Sequence, residues 1–215
     1  MLGELIGEAA RRFGEAPAYV ASEGWAVSYA GLDRISDEVA EGLRRRGVRP
    51  GDVVALALPP IPEYPIAYLA VAKIGAITTG INPRLSPPER AAVVSVAEPR
   101  LVLATEELAP ASVEVEAVVP GGSADDLLGS LRSAGSIDSP IDDDPDRPVA
   151  IVFTSGTTGL PKGAVFCNRQ LAAISAIDVG DRWGGGGRSL VGTAMAHLGF
   201  MTKFPGNLRQ GGCSW

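Results

Sequence analysis

The residues best suited to chemistry stand in one ten-residue stretch, Thr154 to Gly163, which reads TSGTTGLPKG. Glycine tolerates positive φ, so the backbone can turn tightly and direct successive N–H groups at one point, which suits an anion. Hydroxyl side chains can donate to phosphate oxygens, and a lysine adds a mobile positive charge. The stretch therefore predicts a phosphate-binding loop. Its predicted binding residues are Thr154, Ser155, Gly156, Thr157, Thr158, Gly159 and Lys162.

This loop differs from the Walker A loop of kinases and NTPases, which needs Gly, four residues, and then Gly-Lys-Ser/Thr. Here the fifth residue after Gly156 is Pro161, and Lys162 is followed by Gly163. The other reading is a flexible linker rich in Ser, Thr and Gly. A Leu-Pro-Lys-Gly ending behind a buried strand, predicted at 149–153, is untypical of linkers. The linker reading is therefore disfavoured, and the mismatch with the Walker A pattern disfavours a P-loop kinase or NTPase.

The stretch resembles the phosphate-binding signature of the adenylate-forming enzymes, which include acyl-CoA synthetases, aryl-CoA ligases, luciferases and peptide-synthetase adenylation domains. Residues 28–58 resemble the first helix and strand of that family, and residues 63–89 resemble the helix, strand and Asn-Pro-Arg-Leu turn that follow. After the loop, residues 164–171 resemble a strand and a helix start. Asn168 stands where the family usually has histidine, and we expect it to cap that helix.

The resemblance implies ATP-dependent activation of a carboxylic acid, fatty or other acyl, to an acyl-adenylate and then to an acyl-CoA. It implies ATP, Mg²⁺ and coenzyme A as substrates and cofactors, and a catalytic role for Lys162 at the phosphates. Residues 194–200 (AMAHLGF) resemble the family segment that lines the acyl and nucleotide pocket. We therefore expect His197 and Gly199 to line the substrate pocket. The small residues around His197 indicate room for an acyl chain.

Other parts of the resembling family are not found in these 215 residues. They are the adenine-binding segment, a Tyr-Gly-x-Thr-Glu motif, an Asp for the ribose hydroxyls, and a C-terminal domain with a catalytic lysine. We therefore expect residues 1–215 to be an incomplete N-terminal domain, a fragment with an exposed sheet edge that allows self-association. Two functions stay open: the phosphate-binding portion of a ligase, and an inactive remnant or interaction module that at most binds ATP.

The elements that must position the loop alternate along the chain. Apolar runs bounded by turn residues predict buried strands, and 3.6-residue periodicity predicts the helices between them. The predicted fold class is α/β, a layered βαβ parallel sheet flanked by helices. A solvated linker is predicted at about 136–148 and a loose surface turn at 184–187. The main predicted strands are 52–58, 76–81, 101–104 and 149–153, and the main predicted helices are 2–13, 28–46, 62–74, 86–98 and 168–182.

Composition excludes several functions. The net charge is −6 and no basic block occurs, so a nucleic acid is not expected as a partner. No apolar run reaches the roughly 20 residues of a transmembrane helix. Cys167 and Cys213 lack metal or redox spacing, which predicts a reduced, cytoplasmic protein. The single histidine argues against a histidine-based metal site, and the aspartates at 142–146 are assigned to the linker, so no metal site is predicted.

Overall fold

The main sheet is assembled from the apolar runs that the sequence predicts as strands. The computed structural model describes residues 1–110, 114–134, 141–154, 160–190 and 194–215. The strands in these residues are β1 (Pro17–Val20), β2 (Ala26–Ser28), β3 (Val53–Ala57), β4 (Ile77–Gly80), β5 (Leu101–Ala104), β6 (Val115–Ala117), β7 (Pro148–Thr154), β8 (Lys162–Cys167), β9 (Arg188–Ser189) and β10 (Cys213–Ser214). The α-helices are α1 (Leu2–Phe13), α2 (Tyr29–Arg45), α3 (Glu63–Lys73), α4 (Pro87–Ala97), α5 (Asn168–Val179), α6 (Leu198–Met201) and α7 (Phe204–Gln210).

Six strands form the main sheet in the order β6-β5-β3-β4-β7-β8. The first five run parallel, and β8 returns antiparallel to β7 at the edge. The predicted fold class, a layered parallel sheet flanked by helices, is confirmed. Because the five parallel strands point the same way, their carboxyl ends share one edge of the sheet, where ligands of open α/β sheets usually bind.

Both faces of the sheet are covered, which explains why its central strand is apolar at every position. In β3, Val54 and Leu56 belong to the larger core, which includes side chains of α1, α2 and α3. Ala55 and Ala57 belong to a smaller core on the other face, together with Val93 and Val94 of α4. Alternate residues of a strand point to opposite faces, so a strand buried on both sides needs apolar residues throughout.

Local signals in the sequence set the helix starts. Ser28 Oγ accepts the backbone N–H of Gly31 at 3.0 Å at the start of α2. At the start of α4, Glu89 accepts the backbone N–H of Ser86 at 2.8 Å, which forms a capping box. The predicted cap of α5 is wrong by one residue. Cys167 is the N-cap, and Asn168 is the first helical residue, its amide donating to the carbonyl of Asp144 at 2.9 Å.

The glycine run at 184–187 was predicted as a loose surface turn, and the structure corrects this. Gly186 donates its N–H to the carbonyl of Gln210 at 2.9 Å. A Cβ on Gly186 would lie 2.5 Å from the backbone nitrogen of Gly212. The run is therefore packed backbone to backbone against residues 210–212, and an approach this close requires glycine.

A second sheet joins distant parts of the chain in the order β2-β1-β10-β9. Its first two strands pair antiparallel as a hairpin, while β10 lies parallel to both β1 and β9. Tyr29 fastens this region, because its hydroxyl donates to the carbonyl of Gly212 at 2.7 Å. Within the described residues, no helix is both long enough and apolar enough to cross a membrane.

Candidate functional site

The two ends of the predicted phosphate loop lie opposite each other at the carboxyl edge of the sheet. β7 and β8 form a hairpin in which Thr154 pairs with Lys162 and Phe153 pairs with Gly163. The Thr154 hydroxyl donates to the Lys162 carbonyl at 3.4 Å, a long hydrogen bond. Both side chains are exposed. The predicted binding residues Ser155, Gly156, Thr157, Thr158 and Gly159 lie outside the described residues.

Gly163 is needed where the loop joins β8. A Cβ at this position would lie 2.7 Å from Ile151 Cγ2 and 3.1 Å from Phe153 Cζ. These are side chains of the neighbouring strand, so the bare backbone lets the hairpin close next to Lys162. The last glycine of the TSGTTGLPKG stretch thus has a packing role in addition to its predicted place in the loop.

The segment that was predicted to line the substrate pocket lies at the same edge of the sheet. Ala196 packs against Gly80 at the carboxyl end of β4, and α6 contacts β7. His197 is exposed and is the N-cap of α6, its Nδ1 accepting the backbone N–H of Gly199 at 3.3 Å. Gly199 is exposed as well. The structure therefore brings Thr154, Lys162 and the 194–200 segment to one edge.

The small residues of that segment do not open towards the solvent. Met195 is 1% exposed and Ala196 is 5% exposed, because both are packed into the larger core. Ala196 lies directly against Gly80 of β4. His197, Leu198 and Gly199 present exposed surface in this turn, and room for an acyl chain stays a prediction.

Glu63 is a charged residue at this edge that sequence reasoning missed. It is 1% exposed although it opens α3, and its Oε1 accepts the backbone N–H of Gly121 at 2.6 Å. Burial raises the pKa of this carboxyl above its ordinary value of 4.5, while the Gly121 hydrogen bond lowers it and partly offsets burial. A single acidic residue beginning an otherwise apolar helix is the signal that marks the position.

Replacing Glu63 with glutamine is expected to flatten the pH dependence of stability above pH 4.5. A carboxyl whose pKa is raised by folding contributes stability that is complete below its unfolded pKa and is lost as pH rises through the folded pKa. Glutamine keeps an oxygen for the Gly121 N–H but does not titrate. Urea unfolding between pH 4 and 8 measures this, and equal slopes for the two proteins would contradict it.

Two of the predicted linker aspartates have partners within the protein. Asp144 accepts the backbone N–H of Asp146 at 2.9 Å, and Asp146 pairs with Arg169 at 2.9 Å, so both help to hold the start of α5. Among residues 1–110, 114–134, 141–154, 160–190 and 194–215, no three His, Cys, Asp or Glu side chains are grouped to hold a metal ion.

The fold and the hairpin together define an α/β domain that carries a Ser/Thr/Gly/Lys loop at the carboxyl edge of a mainly parallel sheet. The sequence profile described as "AMP-binding enzyme" matches residues 6–214. The chain belongs to this family of AMP-binding enzymes, which confirms the resemblance to adenylate-forming ligases.

Individual relatives share about a third of their residues with this chain over the aligned part. The chain is 35% identical over 164 residues to 4-coumarate–CoA ligase 3 of Oryza sativa subsp. japonica, covering 73% of this chain and 30% of that protein. It is 31% identical over 188 residues to long-chain-fatty-acid–CoA ligase FadD13 of Mycobacterium tuberculosis, covering 82% and 37%. The chain thus spans 30% to 37% of the length of these two relatives.

Solved structures agree on the architecture. The inhibitor-bound N-terminal domain of FACL13 from Mycobacterium tuberculosis superimposes with a TM-score of 0.83 at 27% identity, covering 100% of this chain and 56% of that one. The N-terminal subdomain of Klebsiella oxytoca NpsA, bound to 3-hydroxybenzoyl-AMSN, gives a TM-score of 0.77 at 23% identity, covering 99% and 52%. The second comparison supports the fold alone.

Proposed function

We propose that this chain supplies the phosphate-binding part of an enzyme that activates a carboxylic acid with ATP. The observation that carries this proposal is the β7–β8 hairpin, which holds Thr154 and Lys162 opposite each other at the carboxyl edge of the sheet. Family membership supports the same reading. The relatives are named as CoA ligases of 4-coumarate and of long-chain fatty acids, so the acid proposed here is fatty or another acyl acid.

The proposed reaction joins two anions, and the site must offset their repulsion. A carboxylate oxygen attacks the α-phosphorus of ATP, the bond from that phosphorus to the bridging oxygen breaks, and pyrophosphate leaves with the electron pair. Lys162 and the loop hydroxyls would hold the β- and γ-phosphates, where the leaving negative charge develops. Magnesium would arrive with ATP as part of the substrate, bound to its phosphate oxygens. The thiol of coenzyme A would then attack the acyl carbon and release AMP.

A second candidate is ATP binding without turnover. The 215 residues contain no Tyr-Gly-x-Thr-Glu motif, and the stretch suited to phosphates lies within them at 154–163. In this reading the loop would hold the phosphates of a nucleotide, and no carboxylic acid would be activated. The chain would act as a binding or interaction module.

Pyrophosphate exchange separates these two functions. The chain is incubated with ATP, Mg²⁺, labelled pyrophosphate and a panel of fatty and aryl acids, and incorporation of label into ATP is followed. Acid-dependent exchange supports adenylation, and the preferred acid gives the substrate class. ATP binding by calorimetry without any exchange supports the binding module. Absence of both in a folded chain overturns the proposal.

Self-association and cellular location are two further parts of the proposal. β8 is an edge strand, and its Val165 is 53% exposed, so we propose that a second copy can pair there. Sedimentation velocity over a range of concentrations tests this pairing. Cys167 and Cys213 are free thiols, which suits the reducing cytoplasm that we propose as the location.

A further inference from the structure

Gly80 lies where three parts of the candidate site meet. It is the last residue of β4, at the carboxyl edge of the sheet. A Cβ at Gly80 would lie 2.6 Å from the Tyr64 hydroxyl oxygen and 2.7 Å from Ala196 Cα. No real Cβ tolerates such distances, so α3 and the 194–200 segment both approach the strand backbone only because residue 80 has no side chain.

Tyr64 brings a buried polar atom to this meeting point. Its side chain is 0% exposed, and its hydroxyl has no hydrogen-bond partner within the described parts of the chain. Tyr68, one helical turn further along α3, is equally buried, but its hydroxyl donates to the carbonyl of Met201 at 3.0 Å. A buried hydroxyl without a partner lowers stability, so its presence calls for an explanation.

Aromatic contacts extend the support along the whole segment. The Tyr64 ring meets Phe200 edge to face, with centroids 5.8 Å apart. Phe200 stacks on Phe204 at 5.1 Å, and Phe204 stacks on Tyr68 at 5.8 Å. The buried side of residues 195–204 therefore rests on two tyrosines of α3. The exposed side carries His197 and Gly199.

We propose that Tyr64 and Gly80 are positioning residues that set the height of the 194–200 segment above the sheet. The bare backbone of Gly80 lets Ala196 close down on β4, and the Tyr64 hydroxyl shares the space that a Cβ at residue 80 would occupy. The height of the segment fixes where His197 and Gly199 stand, and so fixes the depth of the pocket for the acid. This inference rests on the proposed function, because it treats the segment as a wall of that pocket.

The single histidine of the chain makes this inference measurable. In protein labelled only at histidine, the ring resonances of His197 report on the segment without competing signals. Gly80→Ala and Tyr64→Phe are compared with the unchanged chain, and Tyr29→Phe is the matched control. Tyr29→Phe removes a buried tyrosine hydroxyl that binds Gly212 and belongs to the second sheet region. Dissociation constants are measured for ATP and for a non-hydrolysable acyl-adenylate analogue.

Both test variants are expected to move the His197 resonances, whereas Tyr29→Phe leaves them in place. Gly80→Ala is expected to weaken binding of the analogue by about tenfold or more relative to ATP, because small displacements of positioning groups are costly. Tyr64→Phe removes an unpartnered polar atom, so it is expected to raise the melting temperature while it still weakens the analogue relative to ATP. Gain of stability together with loss of acid binding is the mark of a positioning role.

Unchanged His197 resonances and an unchanged ratio of analogue to ATP affinity in Tyr64→Phe would overturn the inference. If Gly80→Ala fails to fold, Tyr64→Phe decides, since it introduces no clash. If the unchanged chain binds neither ATP nor the analogue, the proposed function fails. The His197 resonances of the ligand-free variants then still decide whether Tyr64 and Gly80 position the segment.

Discussion

Replacing Gly42 by alanine is expected to lower the free energy of unfolding by about 3 kcal/mol, at the upper end of what overpacking costs. Gly42 lies inside α2, where alanine normally stabilises a helix by roughly 0.5–1 kcal/mol over glycine. Here a Cβ would overlap the carbonyl oxygen of Leu131 and lie 2.9 Å from its carbonyl carbon. Because of this contact, the change from glycine to alanine is expected to destabilise the protein, although the same change normally stabilises a helix.

The obstacle in the Gly42 variant cannot easily move away. Leu131 is 0% exposed, and the residues around it are bound to α2 and to its C-cap, Arg46. Ser130 accepts a hydrogen bond from Arg46 at 2.7 Å, and Ser133 donates its N–H to the carbonyl of Glu38 at 3.0 Å. Shifting residues 130–133 to admit a methyl group would break these bonds. The variant therefore loses stability either through the steric clash or through the lost hydrogen bonds.

Gly7→Ala is the matched control, because it makes the same change inside α1. The nearest atom to a Cβ at Gly7 is Arg11 Nη1 at 3.6 Å, an ordinary contact. This variant is expected to be as stable as the unchanged chain or more stable by up to about 1 kcal/mol. Urea unfolding of both variants measures the difference. A Gly42→Ala protein that matches Gly7→Ala in stability would show that residues 130–133 do not pack on α2 as described.

Local signals account for the part of the fold that could be predicted. The apolar run of β3 and the serine caps of α2 and α4 act within a few residues, so pattern and capping chemistry suffice to predict them. The parallel pairing of β1 with β10 joins Tyr19 to Ser214 across almost the whole chain, and nothing in either short segment indicates it. The packing of Gly186 against Gly212 was missed for the same reason, because a glycine run reads as a loop until its partner is known.

The candidate site also has one part that local sequence signals indicate and one part that depends on long-range contacts. The phosphate loop is a proposal that one continuous stretch of sequence carries, and the structure adds that Thr154 and Lys162, which flank that stretch, pair in a hairpin. The support beneath the 194–200 segment comes from α3 and β4, more than a hundred residues earlier. Tyr64 in an apolar helix reads as an ordinary core aromatic, and Gly80 reads as an ordinary strand end. Only the three-dimensional contact gives either residue a role.

Replacing Lys162 by methionine is expected to weaken ATP binding by about 10- to 100-fold. A charge-assisted hydrogen bond to phosphate contributes roughly 1.5–3 kcal/mol, and each 1.4 kcal/mol is about tenfold in affinity. Lys162 is exposed on an edge strand. The variant should therefore keep the melting temperature of the unchanged chain. Calorimetric titration with ATP and Mg²⁺ measures the affinity.

Lys203→Met is the control for the Lys162 experiment, because it removes an exposed lysine whose partner is Asp178, at 3.3 Å. Both variants change the net charge equally, so any general electrostatic effect on a charged ligand appears in both. If ATP affinity falls only in Lys162→Met, the phosphates bind at the β7–β8 hairpin. Equal losses would mean that ATP binding responds to overall charge alone, and the β7–β8 hairpin would then not be the phosphate site.

Lys162→Arg tests whether charge or shape matters at this position, since arginine keeps the charge but replaces a compact ammonium with a planar guanidinium. Recovery of binding in that variant would show that charge at this position matters more than its shape.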